Sequence, residues 1–547
     1  MKSKRLLLSG AALLALFIQI SIQIFPCTVI VVGKKASLDG SVITSHTDTC
    51  NNSRIFVVPG QVFPRGAMAP VYYGIQDPKI PLHQFGEVIG QVPQVEKTFT
   101  YFHSGYPHMN ECQLAIGEST LSQRSELQLE RGMGRQIMTV EQAMAFALQR
   151  CKTAREAIRL IASLMEKYGF LPSTGPESEG LAIADTKEVW IMEIFAVGPL
   201  WDPAVGKPGA IWAAQRVPDE HVAVIPNWSV IKEIDLKKPD EFMASKNYMQ
   251  EAVDRGWYNP KSGKPFIWQE VYAPIPREWS TGRFWLFYST FAPSPKWPDR
   301  RLISFFQGQD AYHQYVEPLS LYPFSVKPDK KVSVQDLMEF QRSVFEGTIY
   351  DMTADKSWFV PDGKGNWTKS PLTTPFPTRD MRELLKLTYR RMILRGNYGM
   401  IAQLRDWLPD PVGGVYWVYL DNSYVSPYIP IYSGVQEISP LYNTYNPDEF
   451  SEKSARWVYD FVENLLYLRW QEGIKDVRAV RDPVEKSFFE KQAAIEAEAL
   501  DLLKKDPAAA KKYLTDLTRD RMEKLVKMYQ DLRSLLITKY TNNKLGT

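Results

Sequence analysis

The feature that most constrains this 547-residue chain is the change in composition at Cys27, where a mostly apolar N-terminal stretch gives way to a β-branched and polar sequence. Residues Met1 to Arg5 are basic and Leu6 to Ile24 are mostly apolar. A charged start followed by an apolar core is typical of a signal peptide. We therefore expect residues 1–26 to be a removed leader and the remainder to be exported, to a periplasmic or extracellular location.

A second interpretation of the leader stays open, because a membrane span needs about 20 apolar residues. The apolar stretch is of that order, although Gln19 and Gln23 interrupt it. If the leader is retained, it anchors the chain, and it is the only predicted contact with a membrane.

The residues after Cys27 predict a β-hairpin. The β-branched run from Thr28 to Val32 favours a strand. Asp39-Gly40 is a hairpin-type turn, and Ser41 to Ser45 resumes as a second strand. Cys27 then lies at the open end of the hairpin, where the returning strand brings His46 and Asp48 toward it.

Removal of the leader directly before Cys27 would give one residue both a thiol and a free α-amine. Their unperturbed pKa values are about 8.5 and about 7.7–8.0, so a nucleophile and a base would share one residue near neutral pH. Phe25-Pro26 lacks the small residues that signal peptidase prefers. Attack of the Cys27 thiol on the Pro26 carbonyl is therefore an alternative route of processing.

Composition excludes several classes of function. The net charge is +3, the apolar content 44% and the charged content 23%, which indicates a globular protein. No block of like charge indicates nucleic-acid binding, and no zinc-knuckle or dinucleotide-binding glycine pattern is present.

The order of the predicted elements indicates an α+β protein, because hairpin-linked strands and helices occur in separate blocks. One helix is predicted from Ser333 to Phe345. The composition becomes helix-rich and charged near residue 446, so we expect a main domain over 27–445 and a helical C-terminal extension over 446–547. Within the extension, Asp482-Pro483 predicts the start of a helix.

The segment CTVIVVGKKASLDGS, which begins at Cys27, resembles the opening of the PepD-like (dipeptidase A-type) cysteine dipeptidases, which are N-terminal-nucleophile hydrolases. Residues 109–119, 215–219 and 225–227 are also similar to that family. The resemblance implies a four-layer αββα sandwich built on two antiparallel sheets. It further implies hydrolysis of dipeptides or short peptides without a metal or an organic cofactor. The oligomeric state stays open.

The same resemblance implies roles for four catalytic residues. Cys27 is the expected nucleophile, which forms a thioester with the substrate. Asn227 is the expected oxyanion donor, and Asp48 the acid that positions the α-amine. Arg283 is expected to stabilise the thiolate or to hold a substrate carboxylate.

Two further residues are expected to bind substrate. A backbone N–H near Ser119 is the candidate second oxyanion donor. The relatives carry an arginine where this chain has Ser45-His46-Thr47, and His46 is expected to take over part of its role.

Two rival functions stay open at this point. One is an N-terminal-nucleophile amidase that acts on acyl-amides, similar to penicillin V acylases and bile salt hydrolases. The other is an exported binding protein without catalysis, for which the 12% aromatic content would supply a binding cleft.

Overall fold

The computed structural model describes residues 27–49, 52–77, 86–173, 175–274, 278–294, 297, 322–348, 350–387 and 397–541. The leader lies outside these ranges. The described chain is an α+β protein, as the sequence predicts. Its strands are β1 Val29–Val32, β2 Val42–Asp48, β3 Phe56–Val58, β4 Met68–Tyr73, β5 Glu87–Pro93, β6 Tyr101–His103, β7 Pro107–Asn110, β8 Ala115–Leu121, β9 Ser178–Ala184, β10 Val189–Phe195, β11 Ile211–Val217, β12 Val222–Ile225, β13 Phe242–Ala244, β14 Phe359–Pro361, β15 Trp367–Lys369, β16 Tyr398–Leu404, β17 Val415–Leu420 and β18 Ile429–Tyr432.

The smaller of the two main sheets contains the predicted hairpin. Its antiparallel strand order is β12-β1-β2-β16-β17-β18. Val31 pairs with Thr44 and Val32 with Ile43, which confirms the hairpin. Every residue of β1 and β2 is buried, and apart from His46 and Asp48 their side chains are apolar or carry a hydroxyl, as expected for strands covered on both faces.

The larger sheet is antiparallel, in the order β13-β11-β10-β9-β8-β7-β6-β3. Its centre is regular, since β8 pairs with β9 along its whole length. By contrast, β7 pairs with β8 only at Met109 and Ala115. Two further ribbons are formed by β4–β5 and by β14–β15.

The two main sheets contact each other through β1 and β2 on one side and β8 and β9 on the other. Gly117 of β8 shows how close they come. A Cβ at this position would lie 2.5 Å from the Ser45 carbonyl oxygen and 3.3 Å from the Val29 side chain. A glycine is therefore needed for the backbones to approach at this point.

Twelve α-helices are described, and several of them pack against these sheets. They are α1 Val140–Arg150, α2 Ala154–Tyr168, α3 Gln250–Asp254, α4 Trp268–Tyr272, α5 Glu278–Phe291, α6 Val334–Gln341, α7 Arg379–Leu385, α8 Asp410–Gly413, α9 Pro440–Asn443, α10 Ala455–Leu466, α11 Trp470–Lys505 and α12 Pro507–Tyr540. Helix α2 packs on β9–β11 of the larger sheet, whereas α10, α11 and α12 pack on β17 and β18 of the smaller one. Within the described ranges, no helix is both long and apolar enough to cross a membrane.

Two helix boundaries differ from the prediction. Helix α6 ends at Gln341 and not at Phe345, which has a φ of 64°, a conformation that a helix cannot contain. Helix α11 begins at Trp470, so Pro483 lies inside it. A proline inside a helix destabilises the helix by about 3 kcal/mol. Tertiary contacts made by the same helical turn act against this destabilisation.

The strongest of those contacts is made by Glu485. Its carboxylate accepts two hydrogen bonds from the Arg342 guanidinium, at 2.9 and 2.5 Å, and one from the Tyr428 backbone N–H at 2.7 Å. Arg342 also donates to the Ser423 carbonyl at 2.7 Å. This mostly buried ion pair joins α11 to the region after α6 and to the connection between β17 and β18.

We expect Glu485→Gln to lower the free energy of unfolding by about 3 kcal/mol, because it leaves a largely buried guanidinium without its carboxylate. The adjacent exposed residue offers a matched control. Lys486 forms a surface ion pair with Glu490, one helical turn away, at 3.5 Å, and Lys486→Gln should change the free energy of unfolding little. Urea unfolding of the two variants measures the difference. Equal midpoints would contradict a stabilising role for the Arg342 contact.

Candidate active site

The β1–β2 hairpin brings Cys27 and Asp48 together. Thr28 and Thr47 exchange backbone hydrogen bonds at 3.2 and 3.1 Å, which extends the pairing to the residue after Cys27. The Cys27 thiol donates to Asp48 Oδ1 at 3.2 Å. The other carboxylate oxygen, Oδ2, accepts from the Tyr398 hydroxyl at 3.2 Å. Two of the predicted site residues are therefore in direct contact.

The surroundings of the thiol favour its protonated form. Cys27 is only 2% exposed. Burial raises the pKa of the Cys27 thiol well above its usual range, and the negative charge of Asp48 raises it further. In this sequence Cys27 follows Pro26, so its nitrogen is an amide and supplies no opposing charge. With Pro26 attached, Cys27 therefore holds its thiol mainly in the protonated form, which is a weaker nucleophile than the thiolate.

Arg283 is brought to the same point by α5, and it is fully buried. Its guanidinium donates to the Cys27 carbonyl at 2.5 Å and to Thr28 Oγ1 at 2.6 Å. It also donates to the Pro226 carbonyl at 3.0 Å and to Asn227 Oδ1 at 2.7 Å. One side chain therefore joins the start of β1 to the residues that follow β12.

Asn227 lies beside Arg283 in a left-handed conformation, with a φ of 62°, which asparagine tolerates better than most residues. Its backbone N–H donates to Ser119 Oγ at 3.0 Å. Its side-chain Nδ2 donates to the Thr120 carbonyl at 2.9 Å and lies 3.4 Å from Ser119 Oγ. The structure thus places Asn227 and Ser119 together, with the amide donor of Asn227 directed at β8. Their use as oxyanion donors stays a prediction.

His46 points from β2 into a buried polar cluster. Its Nδ1 lies 3.1 Å from His108 Nε2, and His108 Nδ1 lies 2.8 Å from the Tyr416 hydroxyl. Glu118 Oε2 is 3.6 Å from His46 Nε2. Burial lowers the pKa of His46 to about 4, although the charge of Asp48 opposes the shift. His46 is therefore neutral near pH 7 and does not supply the charge of the arginine that this chain lacks.

Ser45, the first residue of the Ser45-His46-Thr47 segment, makes a structural contact. Its hydroxyl accepts a hydrogen bond from the Ile30 backbone N–H at 3.1 Å. Among the described residues, a buried cation that contacts the Cys27 backbone is Arg283 of α5, which donates to the Cys27 carbonyl.

Cys27, His46 and Asp48 each offer one potential metal-ligand atom, and these atoms lie within 4.8 Å of one another. Sulfur, imidazole nitrogen and carboxylate oxygen are ordinary zinc ligands. The expectation of metal-free catalysis comes from the family resemblance, and it stays a prediction.

Sequence reasoning missed Tyr398, His108, Tyr416 and Glu118. The first three are brought in by strands far along the chain, so no local pattern indicates them. Glu118 carries a weak signal, because it stands in β8, where all seven residues are buried. A glutamate in a fully buried strand needs a partner or a function.

Comparison with known proteins decides the family. Residues 26–482 match the sequence model of Peptidase family C69. The chain belongs to Peptidase family C69. It is a cysteine peptidase, which confirms the resemblance seen at Cys27. The matched region begins one residue before Cys27 and extends into α11.

Curated relatives are similar at low identity. A probable dipeptidase of Latilactobacillus sakei is 24% identical over 457 residues, which cover 81% of this chain and 82% of that protein. A probable dipeptidase B of Streptococcus pyogenes serotype M1 is 23% identical over 557 residues, covering 100% and 99%. A dipeptidase of Bifidobacterium longum (strain NCC 2705) is 27% identical over 363 residues, covering 59% and 60%.

Two solved structures of conjugated bile acid hydrolase variants from Clostridium perfringens show a distant similarity. One covers 40% of this chain and 64% of its own, at 12% identity and a TM-score of 0.21. The other covers 51% and 77%, at 11% identity and a TM-score of 0.22. Scores this low do not establish a shared fold.

We expect Asp48→Asn to lower the pKa of the Cys27 thiol in the unprocessed chain, because it removes the nearby negative charge. The pKa of the thiol is measured by the ultraviolet absorbance of the thiolate as a function of pH. The protein used must have an intact mass that shows residues 1–26 to be retained. A Cys27→Ala sample supplies the baseline.

Asp39→Asn is the matched control, because Asp39 stands in the same hairpin but bonds to Ser41 at the turn. It should leave the Cys27 titration unchanged. A titration of Asp48→Asn that coincides with that of the parent chain would contradict the electrostatic role of Asp48.

Proposed function

We propose that this cysteine peptidase is an exported dipeptidase, whose nucleophile is the thiol of Cys27 freed as the amino terminus. The observation that carries the proposal is the Cys27–Asp48 hydrogen bond at the start of β1, in a chain of Peptidase family C69. The relatives named as dipeptidases support the choice of substrate.

The proposed reaction uses the two groups of the freed residue. The Cys27 sulfur attacks the substrate carbonyl carbon, and the Cys27 α-amine accepts the thiol proton. That proton then passes to the leaving nitrogen as the C–N bond breaks, which leaves a thioester. Water attacks the thioester with the same amine as base, so the acid product leaves and the thiol is restored.

The neighbouring residues have positioning roles in this proposal. Asp48 accepts a hydrogen bond from the Cys27 ammonium and fixes its orientation. Arg283 holds the Cys27 carbonyl and Asn227 in one place through four hydrogen bonds. Asn227 becomes an oxyanion donor when its amide turns from the Thr120 carbonyl to the substrate, and such a donor is worth about 100- to 1000-fold in rate.

Two further features belong to the proposal. The contacts between the two sheets, with α2 on one outer face and α10–α12 on the other, support the αββα sandwich of N-terminal-nucleophile hydrolases. The basic and apolar leader supports export. Processing occurs at Pro26-Cys27, by a peptidase or by attack of the Cys27 thiol on the Pro26 carbonyl.

Cys27→Ala is expected to abolish hydrolysis of dipeptides, because alanine has no nucleophile, while wild-type protein has an intact mass that starts at Cys27. Cys112→Ala is the matched control, since Cys112 is a free cysteine outside the site, and it should retain activity. A Cys27→Ala variant with normal turnover would contradict the proposal, as would active wild-type material in which Cys27 still follows Pro26.

A panel of substrates separates the dipeptidase from an acyl-amide hydrolase. We expect the mature protein to hydrolyse dipeptides and to be inactive on penicillin V and on conjugated bile acids. Chromatography of the products of each substrate is the measurement: free amino acids from dipeptides, the bicyclic amine from penicillin V, and the free bile acid from conjugated bile acids. Hydrolysis of the acyl-amides alone would leave the cysteine mechanism in place and remove the proposed substrate.

A further inference from the structure

Three side chains that meet at the start of β1 form a set of possible metal ligands. The Cys27 sulfur, a ring nitrogen of His46 and a carboxylate oxygen of Asp48 all lie within 4.8 Å of one another. In the part of the chain that the structure describes, no other group of three cysteine, histidine or acidic side chains converges in this way. Thiolate, imidazole and carboxylate together are a ligand set that suits zinc.

His46 is held as a metal-bound histidine usually is. Its Nδ1 lies 3.1 Å from His108 Nε2, and His108 Nδ1 lies 2.8 Å from the Tyr416 hydroxyl. When His46 Nδ1 donates to His108, the lone pair of His46 is on Nε2. This nitrogen is fully buried and has no hydrogen-bond partner among the described residues. A ligating histidine almost always donates its other ring N–H to a fixed neighbour, and buried nitrogens without a partner are rare.

Asp48 also has one oxygen fixed from outside the set. Its Oδ2 accepts from the Tyr398 hydroxyl at 3.2 Å, while Oδ1 accepts from the Cys27 thiol at 3.2 Å. Replacement of the thiol proton by a metal ion would therefore leave the Tyr398 contact in place. A second partner that orients a ligating carboxylate is typical of metal sites.

The distances are close to those around a tetrahedral zinc ion. The bond lengths of zinc place neighbouring ligand atoms about 3.3–3.7 Å apart. The Cys27 sulfur and Asp48 Oδ1 already stand at 3.2 Å, and the nitrogen of His46 lies within 4.8 Å of both atoms. A side-chain movement of about 1 Å would bring the three atoms into one coordination sphere.

The proposed cleavage before Cys27 supplies a fourth ligand. The freed α-amine stands on the same residue as the sulfur, and the two atoms can chelate one ion. With His46 and Asp48 they complete a set of four, which is the coordination number of zinc in closed protein sites.

The charges of the ligands match a divalent ion. On binding, the Cys27 thiol releases its proton to solvent and the sulfur becomes a thiolate ligand. The thiolate and the Asp48 carboxylate then balance the charge of Zn²⁺, and a neutral complex is compatible with burial. Arg283, which donates to the Cys27 carbonyl, adds an opposing positive charge, so we expect weaker binding than in structural zinc sites.

We propose that Cys27, His46 and Asp48 of the mature protein bind one zinc ion, and that this ion inhibits the enzyme reversibly. The inference rests on the proposed function, since the bound ion occupies the sulfur and the amine that the proposed reaction uses. Catalysis itself remains free of metal. His46 is the residue that distinguishes this site from binding of zinc by a thiol alone.

The first test is spectroscopic and needs no activity. Mature protein with an intact mass that starts at Cys27 is treated with a chelator and titrated with Co²⁺. We expect a sulfur-to-cobalt charge-transfer band in the near ultraviolet and the visible bands of tetrahedral cobalt, both saturating at one ion per chain. Zn²⁺ should displace the cobalt, and Cys27→Ala should lack the charge-transfer band.

The second test measures the affinity for Zn²⁺ by competition with a chromophoric chelator. His46→Gln should weaken zinc binding by more than about 100-fold, because loss of an outer partner alone weakens binding by about 10- to 100-fold. His108→Gln, which removes that outer partner, should weaken it by about 10- to 100-fold.

Inhibition is measured in parallel, as dipeptide hydrolysis by each protein relative to its own activity without metal. Zn²⁺ should inhibit wild type, and an added chelator should restore the activity. Mg²⁺ at the same concentration should have no effect, because it prefers oxygen ligands. Inhibition of His46→Gln should need a correspondingly higher zinc concentration.

His103→Gln is the matched control. His103 is a buried histidine on β6 that stacks on Phe56, with ring centroids 4.8 Å apart, and it is not one of the three converging side chains. Its substitution should leave the zinc affinity unchanged. A loss of affinity in His46→Gln that is absent from His103→Gln supports the site.

An unchanged zinc affinity in His46→Gln would overturn the site, since the thiol would then bind the ion without the imidazole. A cobalt spectrum without the charge-transfer band, or equal weakening in His46→Gln and His103→Gln, would also overturn it. Zinc that binds at this site without inhibition would overturn the inhibitory role. Failure of the metal-free mature protein to hydrolyse dipeptides would instead contradict the proposed function, and the cobalt spectrum would still decide the site.

Discussion

The antiparallel pairing of β1 with β2 is the constraint on which the candidate site depends. It holds Thr28 opposite Thr47, so Cys27, two residues before β1, meets Asp48, the last residue of β2. Because a shift of one residue would turn every side chain of β2 to the other face, the register decides whether Asp48 or Thr47 meets the sulfur. The position of β1 inside its sheet, with β12 on its other edge, protects that register.

Arg283 completes the arrangement from a distant part of the chain. Its hydrogen bonds go to oxygens at the ends of β1 and β12, and both strands lie in the same sheet. A guanidinium suits this position because it has five donors in a fixed plane. The side chain therefore serves the geometry of the site even before any charge on sulfur or substrate develops.

Local sequence patterns predicted those parts of the site that depend on residues close together in the chain. The hairpin, Cys27 and Asp48 follow from a β-branched strand, an Asp-Gly turn and a returning strand. The roles of Asn227 and Arg283 came from the family resemblance, because nothing near either residue marks it. His108, Tyr416 and Tyr398 were not predicted, since they meet only through the packing of distant strands.

The start of α11 was predicted wrongly. Pro483 and its flanking residues have the pattern of a helix start, whereas the Arg342–Glu485 ion pair stabilises a helix that runs through the proline.

The distribution of charge around Cys27 would give the proposed cleavage before Cys27 a direct effect on the reactivity of the thiol. Around Cys27, the described acids Asp48, Glu118 and Glu179 all raise the pKa of the thiol, while the nearest imidazole is neutral. An α-ammonium group formed at Cys27 would introduce a positive charge on the same residue as the sulfur. By Coulomb's law that charge stabilises the thiolate most strongly where burial keeps the dielectric constant low. The burial that keeps the thiol protonated while Pro26 is attached would therefore strengthen the effect of a new amino terminus.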